Sequence, residues 1–458
     1  MISPLDVHLA GASGEVTGAC TVLEYGGRSL AVDIGLIQGP ASRELANATI
    51  PIEHPEWLDA VAITHAHADH CGRLPMLPRL GFKGPVLATP ATADLLPMVL
   101  RASARLQRRL HGDHAATDRS AGVLFDQREV DRVCELIEPV PFGTTREVAP
   151  GVTVRFHPAG HVLGAASVLV EGPKGRRVLV SGDLGHDLGE PLPPPTAPPP
   201  AHLVVMECTR GDVEDPQLQH DPEVLLAQVL NAAAIDKQVV LIPTFAIGRA
   251  QQLLYRFGRL SRAGELGMPV MLDSAMASLV APMHAAHPTN LSADASALLR
   301  RGIDPLDFPE LHRIRSRRAA QVIKDLRGPA VVMAGSGFGD AGPIVEHFIR
   351  WLPSRRGRIL LAGYCMPGSV VGQLLDDPPR LKLRGRWVPV EAPIDRLECF
   401  SGHADAAGLE RWLCSMPGAQ PRVALHHGDP EPRAAFAARL RRLGYDTMTP
   451  EIGVRLGV

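Results

Sequence analysis

The feature that most constrains this chain is a run of four metal-capable side chains within six residues: His65, His67, Asp69 and His70. The apolar residues 60–63 lead into this run, and Gly72 follows it. That pattern predicts a buried strand that ends in a loop, where ligands project from a rigid base. Imidazole and carboxylate groups together suit Zn²⁺ better than Mg²⁺ or Ca²⁺. A histidine-rich polar surface loop that binds no metal is the alternative.

The spacing of the four side chains also bears on the number of metal ions. Four candidates this close cannot all serve one ion that needs further ligands from elsewhere to fix its geometry. We therefore predict two ions, with His65 and His67 on one and Asp69 and His70 on the other.

Three further candidates stand at predicted strand ends, each closely followed by glycine: His161, Asp183 and His427. Taken alone, each could be an ordinary turn residue. Together with the run they complete two zinc sites. His161 would join the first pair of histidines, and His427 would join Asp69 and His70. Asp183 has two carboxylate oxygens and can bridge the two ions.

The neighbouring His426 is the alternative to His427. Successive side chains of a strand point to opposite faces. One of the two histidines can therefore be a ligand, and the sequence leaves open which.

Composition limits the range of functions. A chain of 458 residues is too long for one ordinary core, so two domains are expected. The net charge is −2, with 47 basic and 49 acidic residues. A chain with this balance can bind a polyanion only by concentrating basic residues on one face.

The cysteines and the apolar segments bear on the cellular compartment of the protein. The seven cysteines are odd in number, and no two have the C-x-x-C spacing, so a reducing compartment, the cytoplasm, is expected. The N-terminus lacks a signal-peptide pattern. No apolar run is long enough to span a bilayer, and no membrane association is predicted.

The pattern of predicted strands and helices changes twice along the chain. Residues 1–185 are rich in strands, residues from about 211 alternate strand with helix, and strands dominate again from about 395. The middle part predicts a parallel sheet flanked by helices. The proline-rich residues 191–200 can be neither helix nor central strand. A surface insertion is expected there, with a peptide-recognition ligand as the alternative.

Several motifs occur in an order that resembles the metallo-β-lactamase fold: Asp33, the run at 65–70, His161 and Asp183. Three later ones narrow the resemblance to the β-CASP nucleases: Glu207 in residues 207–211, His403 in residues 401–405, and His427 before Gly428. The chain is thus similar to the endonuclease of the pre-mRNA 3′-processing complex and its bacterial and archaeal relatives. Departures from the family pattern occur at Arg210, Ala275 and Phe338.

This resemblance implies the fold and its division. We expect an α/β chain, in which an αββα sandwich of the metallo-β-lactamase type carries an inserted β-CASP domain. The inserted domain would be a mostly parallel sheet flanked by helices. The expected borders are 1–208 and 396–458 for the sandwich and 209–395 for the insertion.

The resemblance also implies the chemistry. Two Zn²⁺ ions per chain would activate a hydroxide that cleaves single-stranded RNA, with endonucleolytic action expected and with 5′-phosphate and 3′-hydroxyl products. His403 is the expected general acid, Glu207 its orienting partner, and Asp33 a residue that fixes ligand histidines. His427 favours RNA, because relatives that act on DNA typically carry valine there. A DNA nuclease of the same fold and a non-catalytic RNA-processing scaffold are the alternatives.

Four residues are candidates for RNA contacts: Ser336, Gly337, Arg249 and Ser401. The first two lie in a glycine-rich loop ahead of a predicted helix, where amides can approach a phosphate. Ordinary use of glycine in a tight turn is the alternative. A homodimer is possible, and the sequence does not decide the oligomeric state.

Overall fold

The computed structural model describes residues 5–38, 45–111, 123–314 and 321–458. The chain divides into two compact units. Unit 1 comprises Met1–His186, Pro194–Glu214 and His403–Val458, and unit 2 comprises Asp187–Pro193 and Asp215–Gly402. The sequence predicts borders after residues 208 and 395, whereas the two main junctions lie after 214 and 402. The short stretch 187–193 also belongs to unit 2.

The strands of the described residues are, in chain order, β1 (Asp6–Leu9), β2 (Thr21–Tyr25), β3 (Arg28–Val32), β4 (Leu58–Ala62), β5 (Val86–Ala88), β6 (Ile137–Pro139), β7 (Thr145–Ala149), β8 (Val152–Pro158), β9 (Ala166–Glu171), β10 (Arg177–Val180), β11 (Leu203–Glu207), β12 (Val239–Pro243), β13 (Val270–Asp273), β14 (Leu311–Arg313), β15 (Ala330–Ala334), β16 (Gly357–Ala362), β17 (Arg380–Leu383), β18 (Arg386–Pro389), β19 (Ile394–Leu397), β20 (Arg422–His426), β21 (Thr447–Met448) and β22 (Arg455–Gly457).

The α-helices of the same residues are α1 (Ala68–Cys71), α2 (Pro90–His111), α3 (Gln127–Cys134), α4 (Pro222–Ile235), α5 (Arg249–Ala263), α6 (Ala275–Ala286), α7 (Ala293–Arg300), α8 (Gln321–Lys324), α9 (Pro343–Trp351), α10 (Val370–Leu374), α11 (Ala406–Cys414) and α12 (Pro430–Arg442).

Unit 1 is built on two sheets that share one core. Within the described residues, the first sheet has seven strands in the order β22-β1-β2-β3-β4-β5-β6, and the second has seven in the order β21-β20-β11-β10-β9-β8-β7. Side chains of both sheets, such as Ala62 and Val168, belong to one hydrophobic cluster. α2 contacts β5 and β6, and α12 contacts β20 and β21. The α/β fold class predicted for this part of the chain is confirmed.

The strand that leads into the metal-capable run is buried at all five positions. Ala60 and Ala62 belong to the core between the sheets, and Val61, which points the other way, is buried as well. A strand with packed layers on both faces is expected to be apolar throughout. β4 is therefore a rigid base for the residues that follow it.

Unit 2 is built on a parallel sheet. In the part of the chain that the structure describes, its six strands are ordered β14-β13-β15-β12-β16-β19, and each neighbouring pair is parallel. β12 and β15 are buried at all five positions, as is typical of a parallel sheet between helices. The predicted mostly parallel sheet is confirmed. β17 and β18 form a separate antiparallel hairpin.

The proline-rich residues 191–200 contain neither helix nor strand, as the sequence predicts. In unit 1, the amide of Thr196 donates to the carbonyl of Pro158 (3.0 Å), and its carbonyl accepts from Trp412 Nε1 (2.9 Å). These bonds attach the segment at Thr196 to β8 and α11. Among the described helices, none has both the length and the apolar character that crossing a membrane requires.

Candidate metal centre

Five of the candidate positions in unit 1 lie where strands end. Asp33 follows β3, the run 65–70 follows β4, Asp183 follows β10, Glu207 ends β11, and His427 follows β20. β3 and β4 are parallel neighbours, and so are β10, β11 and β20. Because the carboxyl ends of parallel strands meet at one edge of a sheet, residues far apart in sequence come together there.

One group of donor atoms is formed by His65, His67, His161 and Asp183. His67 Nδ1 lies 3.1 Å from His65 Nε2 and 3.2 Å from His161 Nε2. Asp183 Oδ2 lies 3.6 Å from the His65 nitrogen and 3.5 Å from the His161 nitrogen. In a tetrahedral zinc site with bonds of about 2.1 Å, the ligand atoms are about 3.4 Å apart. These four distances are therefore close to those between the corners of such a site.

A second group is formed by Asp69, His70 and His427. His70 Nε2 lies 3.2 Å from His427 Nε2, which lies 3.5 Å from Asp69 Oδ2. The other oxygen of the shared carboxylate, Asp183 Oδ1, lies 3.3 Å from His70 Nε2. The spacing again suits zinc, and Asp183 offers one oxygen to each group.

The protonation states of two of these side chains, His65 and Asp69, also suit a metal. Burial and the neighbouring histidines lower the pKa of His65 well below its usual value. Although burial opposes ionisation, the hydrogen bond from His427 lowers the pKa of Asp69 to about 2. Despite burial, neighbouring carboxylates raise the pKa of His70 well above its usual value, so a metal bound there must displace a proton. Neutral imidazole and ionised carboxylate are the forms that coordinate zinc.

Thr64 and Asp33 orient two of the histidine rings. The hydroxyl of Thr64 donates to Asp33 Oδ2 (2.8 Å), and its amide donates to Asp33 Oδ1 (2.8 Å). The same hydroxyl oxygen lies 3.0 Å from His65 Nδ1, and Asp33 Oδ2 lies 2.7 Å from His70 Nδ1. Each ring thus donates its Nδ1 proton to these partners and presents Nε2 to the donor groups.

Thr209 does the same for His427. Its hydroxyl donates to the main-chain oxygen of His427 (3.2 Å) and lies 3.1 Å from Nδ1 of that ring. His426 points elsewhere, because its Nε2 donates to the carbonyl of Gly11 (2.7 Å), and burial lowers the pKa of this ring to about 3. The structure thus brings His427, and not His426, to the donor groups.

The sequence does not single out Thr64 or Thr209. Thr64 directly precedes the metal-capable run, and Thr209 stands two residues after Glu207. The one sequence signal for these two threonines is that each lies close to a motif. Their hydroxyl contacts depend on how the flanking strands are placed, which the sequence does not state.

His403 and Glu207 form a third group beside Asp183. His403 Nδ1 lies 3.2 Å from both Glu207 oxygens, and His403 Nε2 lies 4.0 Å from Asp183 Oδ2. Glu207 also accepts hydrogen bonds from the amides of Leu184 (2.6 Å) and Thr209 (3.2 Å). Although burial opposes it, the charges of Glu207 and Asp183 raise the pKa of His403. A proton on this ring is therefore held facing the donor groups.

The four candidates for RNA contacts all belong to unit 2: Ser336, Gly337, Arg249 and Ser401. The hydroxyl of Ser336 donates to Asp340 Oδ1 (2.7 Å), and Ser401 is buried. Gly337 packs on the ring of Phe245, where a Cβ would come within 2.6 Å. The Arg249 guanidinium lies 4.9 Å from the centre of that ring, and it donates to the carbonyl of Tyr364 (3.4 Å). RNA binding by these four residues stays a prediction.

Three sequence families match the chain in succession. The Beta-lactamase superfamily domain matches residues 31–234, and the Beta-Casp domain matches residues 250–374. The Zn-dependent metallo-hydrolase RNA specificity domain matches residues 387–450. The matched segments include residues of both units.

Two relatives are similar over most of the chain. Ribonuclease TTHA0252 of Thermus thermophilus is 33% identical over 448 residues, which are 97% of each protein. Transcription termination factor FttA of Pyrococcus horikoshii is 30% identical over 404 residues, which are 86% of this chain and 60% of that factor. The similarity to the ribonuclease thus extends over nearly the whole of both chains.

A solved structure agrees with the fold. The crystal structure of a protein of unknown function from Enterococcus faecalis V583 aligns with 99% of this chain and 100% of its own, with a TM-score of 0.58 and 15% identity. At this identity the likeness concerns the fold alone. The three domain matches and the relative that is 33% identical over nearly its full length lead to one assignment. The chain belongs to the β-CASP family of metal-dependent hydrolases with the metallo-β-lactamase fold.

Proposed function

We propose that this chain is a zinc-dependent ribonuclease that cleaves phosphodiester bonds within single-stranded RNA and uses two metal ions. The pair of donor groups that share Asp183 carries the proposal. Neighbouring donor atoms, such as His65 Nε2 with His67 Nδ1 and with Asp183 Oδ2, are 3.1 to 3.6 Å apart, close to the spacing that tetrahedral zinc requires. Two ions held by one carboxylate suit a reaction in which attacking and leaving oxygens both need stabilisation.

The proposal assigns the metals to seven side chains: His65, His67, His161, Asp183, Asp69, His70 and His427. When bound, two zinc ions supply hydroxide at neutral pH and neutralise charge on the phosphate. Asp33 orients the ring of His70, to which it is bonded at 2.7 Å. The tautomer of His70 is thereby set before a metal arrives.

The leaving oxygen of the RNA needs a proton, and His403 is the group assigned to supply it. Glu207 lies 3.2 Å from His403 Nδ1 and therefore favours the charged ring and keeps Nε2 turned to the centre. The raised pKa of His403 supports this role, because a general acid must carry its proton near neutral pH. Departure of the 3′ oxygen leaves a 5′-phosphate on the other product.

RNA is the proposed substrate for two reasons. The family that matches residues 387–450 is described as an RNA specificity domain, and the relative that is 33% identical is named a ribonuclease. We place the enzyme in the cytoplasm, because all seven cysteines are free thiols. Internal cleavage, rather than removal of nucleotides from an end, is part of the proposal.

The test compares RNA and DNA of one sequence. Zinc-loaded protein is incubated with RNA labelled at its 5′ end, with and without a 5′-phosphate, and with the matching DNA. We expect labelled fragments of intermediate length from both RNAs. Labelled mononucleotides would instead indicate a 5′-exonuclease, and cleavage of DNA alone, or of neither, would contradict the proposal.

The choice between the two adjacent histidines predicts different metal contents. His427→Ala is expected to lower bound zinc from two ions to one per chain, because it removes Nε2 beside Asp69 and His70. His426→Gln keeps a donor for the Gly11 carbonyl and is expected to retain both ions. Elemental analysis of the dialysed proteins measures this. Equal zinc content in the two variants would argue against the assignment.

The two threonines are predicted to tune metal affinity without touching the metal. Thr64→Val and Thr209→Val each remove a hydroxyl beside a ligand ring, and each is expected to weaken zinc binding about 10- to 100-fold. Thr64→Ser and Thr209→Ser retain the hydroxyl and serve as controls. Competition with a fluorescent chelator gives the affinities. Valine variants that bind zinc as tightly as the serine controls would refute the orienting role.

A further inference from the structure

A hairpin of unit 2 concentrates positive charge in a chain that carries a net charge of −2. Residues 378–390 contain no acidic side chain and four basic ones: Arg380, Lys382, Arg384 and Arg386. A surface that binds a polyanion needs such a local excess of basic residues. The hairpin consists of β17 and β18, so the charges are displayed on a defined backbone.

The two faces of this hairpin differ in character. Leu381 and Leu383 of β17 and Val388 of β18 are buried in the hydrophobic cluster of unit 2. Because side chains alternate along a strand, Arg380 and Lys382 point the other way, and both are exposed. The outward face is thus polar and aromatic, while the inward face anchors the hairpin.

Trp387 stands on the outward face, directly opposite Lys382 in the antiparallel register. Its side chain is 59% exposed, which is high for a residue type that is mostly buried. The guanidinium of Arg380 lies 4.6 Å from the centre of the indole ring. This contact uses one part of the ring and leaves much of it open to solvent.

The turn of the hairpin restricts its backbone. Arg384 and Gly385 both adopt positive φ, +47° and +76°, as in the two-residue type I′ turns that match the twist of paired strands. Arg384 also pairs with Glu346 of α9. Among the described residues neither Arg380 nor Lys382 is in an ion pair. The outward face is therefore a preformed surface whose cations are open to an incoming anion.

We propose that the outward face of the β17–β18 hairpin, formed by Arg380, Lys382 and Trp387, is a docking surface for single-stranded RNA. The inference rests on the proposed ribonuclease function and adds a contact outside the metal centre. The indole ring would stack on an unpaired base, and the two cations would meet the phosphates on either side. Duplex RNA, whose bases are already stacked, would gain only the electrostatic part.

The test measures binding without cleavage. Zinc-loaded full-length protein with the background substitution His403→Gln is titrated into a fluorescein-labelled single-stranded RNA, and anisotropy gives the affinity. Trp387→Ala is expected to weaken binding about 5- to 100-fold, the range for loss of one base-stacking contact. Trp57→Ala, in unit 1 and 56% exposed, is the matched control and is expected to leave the affinity unchanged.

The charged residues are tested by the salt dependence of the same binding. The double variant Arg380→Gln/Lys382→Gln is expected to reduce the slope of log affinity against log salt by about 1.4, because each phosphate contact to a single strand contributes about 0.7. Arg300→Gln/Arg301→Gln, at an exposed helix end of unit 2, is the control and should leave the slope unchanged.

The outcomes separate this inference from the proposed function. If the hairpin variants bind RNA with the affinity and salt slope of their controls, the proposed RNA-docking surface is refuted. A protein partner would then be the remaining candidate for this face. If the hairpin variants lose affinity for single-stranded RNA, the inference holds even where cleavage assays fail. Loss of affinity for duplex RNA to the same extent would refute the stacking role of Trp387.

Discussion

Asp183→Asn is expected to abolish stable zinc binding at both sites and to lower RNA cleavage by about 10³-fold or more. Asp183 Oδ2 lies 3.6 Å from His65 Nε2, and Oδ1 lies 3.3 Å from His70 Nε2. Asparagine keeps one oxygen and loses the negative charge that two cations require. Elemental analysis and the rate of cleavage of a labelled RNA measure the effect.

Thermal unfolding distinguishes loss of metal from loss of fold. Zinc is expected to raise the melting temperature of the wild-type chain, because it binds the folded state alone. The same addition should leave Asp183→Asn unchanged, while circular dichroism shows a folded protein. Asp187→Asn, at an exposed position, controls for the loss of one negative charge. An Asp183→Asn variant that keeps two zinc ions and the wild-type rate would contradict the bridging assignment.

His403→Gln is expected to lower kcat for RNA by about 10²- to 10⁴-fold, the usual contribution of a general acid, and to leave zinc content unchanged. Glutamine can still bond to Glu207, which lies 3.2 Å from His403 Nδ1, but it cannot deliver a proton. Steady-state kinetics at saturating zinc, together with elemental analysis, measure both quantities.

A substrate whose leaving group needs no proton separates the loss of proton transfer from the other effects of His403→Gln. The p-nitrophenolate group departs without protonation, so a p-nitrophenyl phosphodiester should be cleaved by His403→Gln at close to the wild-type rate. Glu207→Gln should show the same selectivity in weaker form, because Glu207 acts through His403. If His403→Gln slowed the cleavage of RNA and of the p-nitrophenyl phosphodiester by the same factor, His403 would be positioning the phosphate instead of supplying a proton.

The metal-capable residues could be predicted because short stretches of sequence around each of them carry the signal. The spacing of His65, His67, Asp69 and His70 points to two ions, and a strand end followed by glycine marks His161, Asp183 and His427. In the structure the donor atoms of these residues lie together in two groups. The alternation of strand and helix likewise predicted the parallel sheet of unit 2.

Features that depend on the register of distant segments could not be predicted. Strand alternation shows that one of His426 and His427 faces the centre, but the choice depends on the carbonyl of Gly11, more than 400 residues away. The membership of residues 187–193 in unit 2 depends on contacts such as Glu190 with Arg256 (2.9 Å). Neither contact has a signature in the residues around it.

The position of the second unit within the chain has a consequence for synthesis. Glu207 and His403 are hydrogen-bonded although they stand 196 positions apart, and unit 2 lies between them. His427 follows later still. A ribosome that has finished the metal-capable run at 65–70 must therefore still synthesise unit 2 and the residues up to His427 before all the donor groups can form. A nascent chain that ends before residue 403 therefore lacks the third member of the donor group of Asp69 and His70, and it lacks the partner of Glu207.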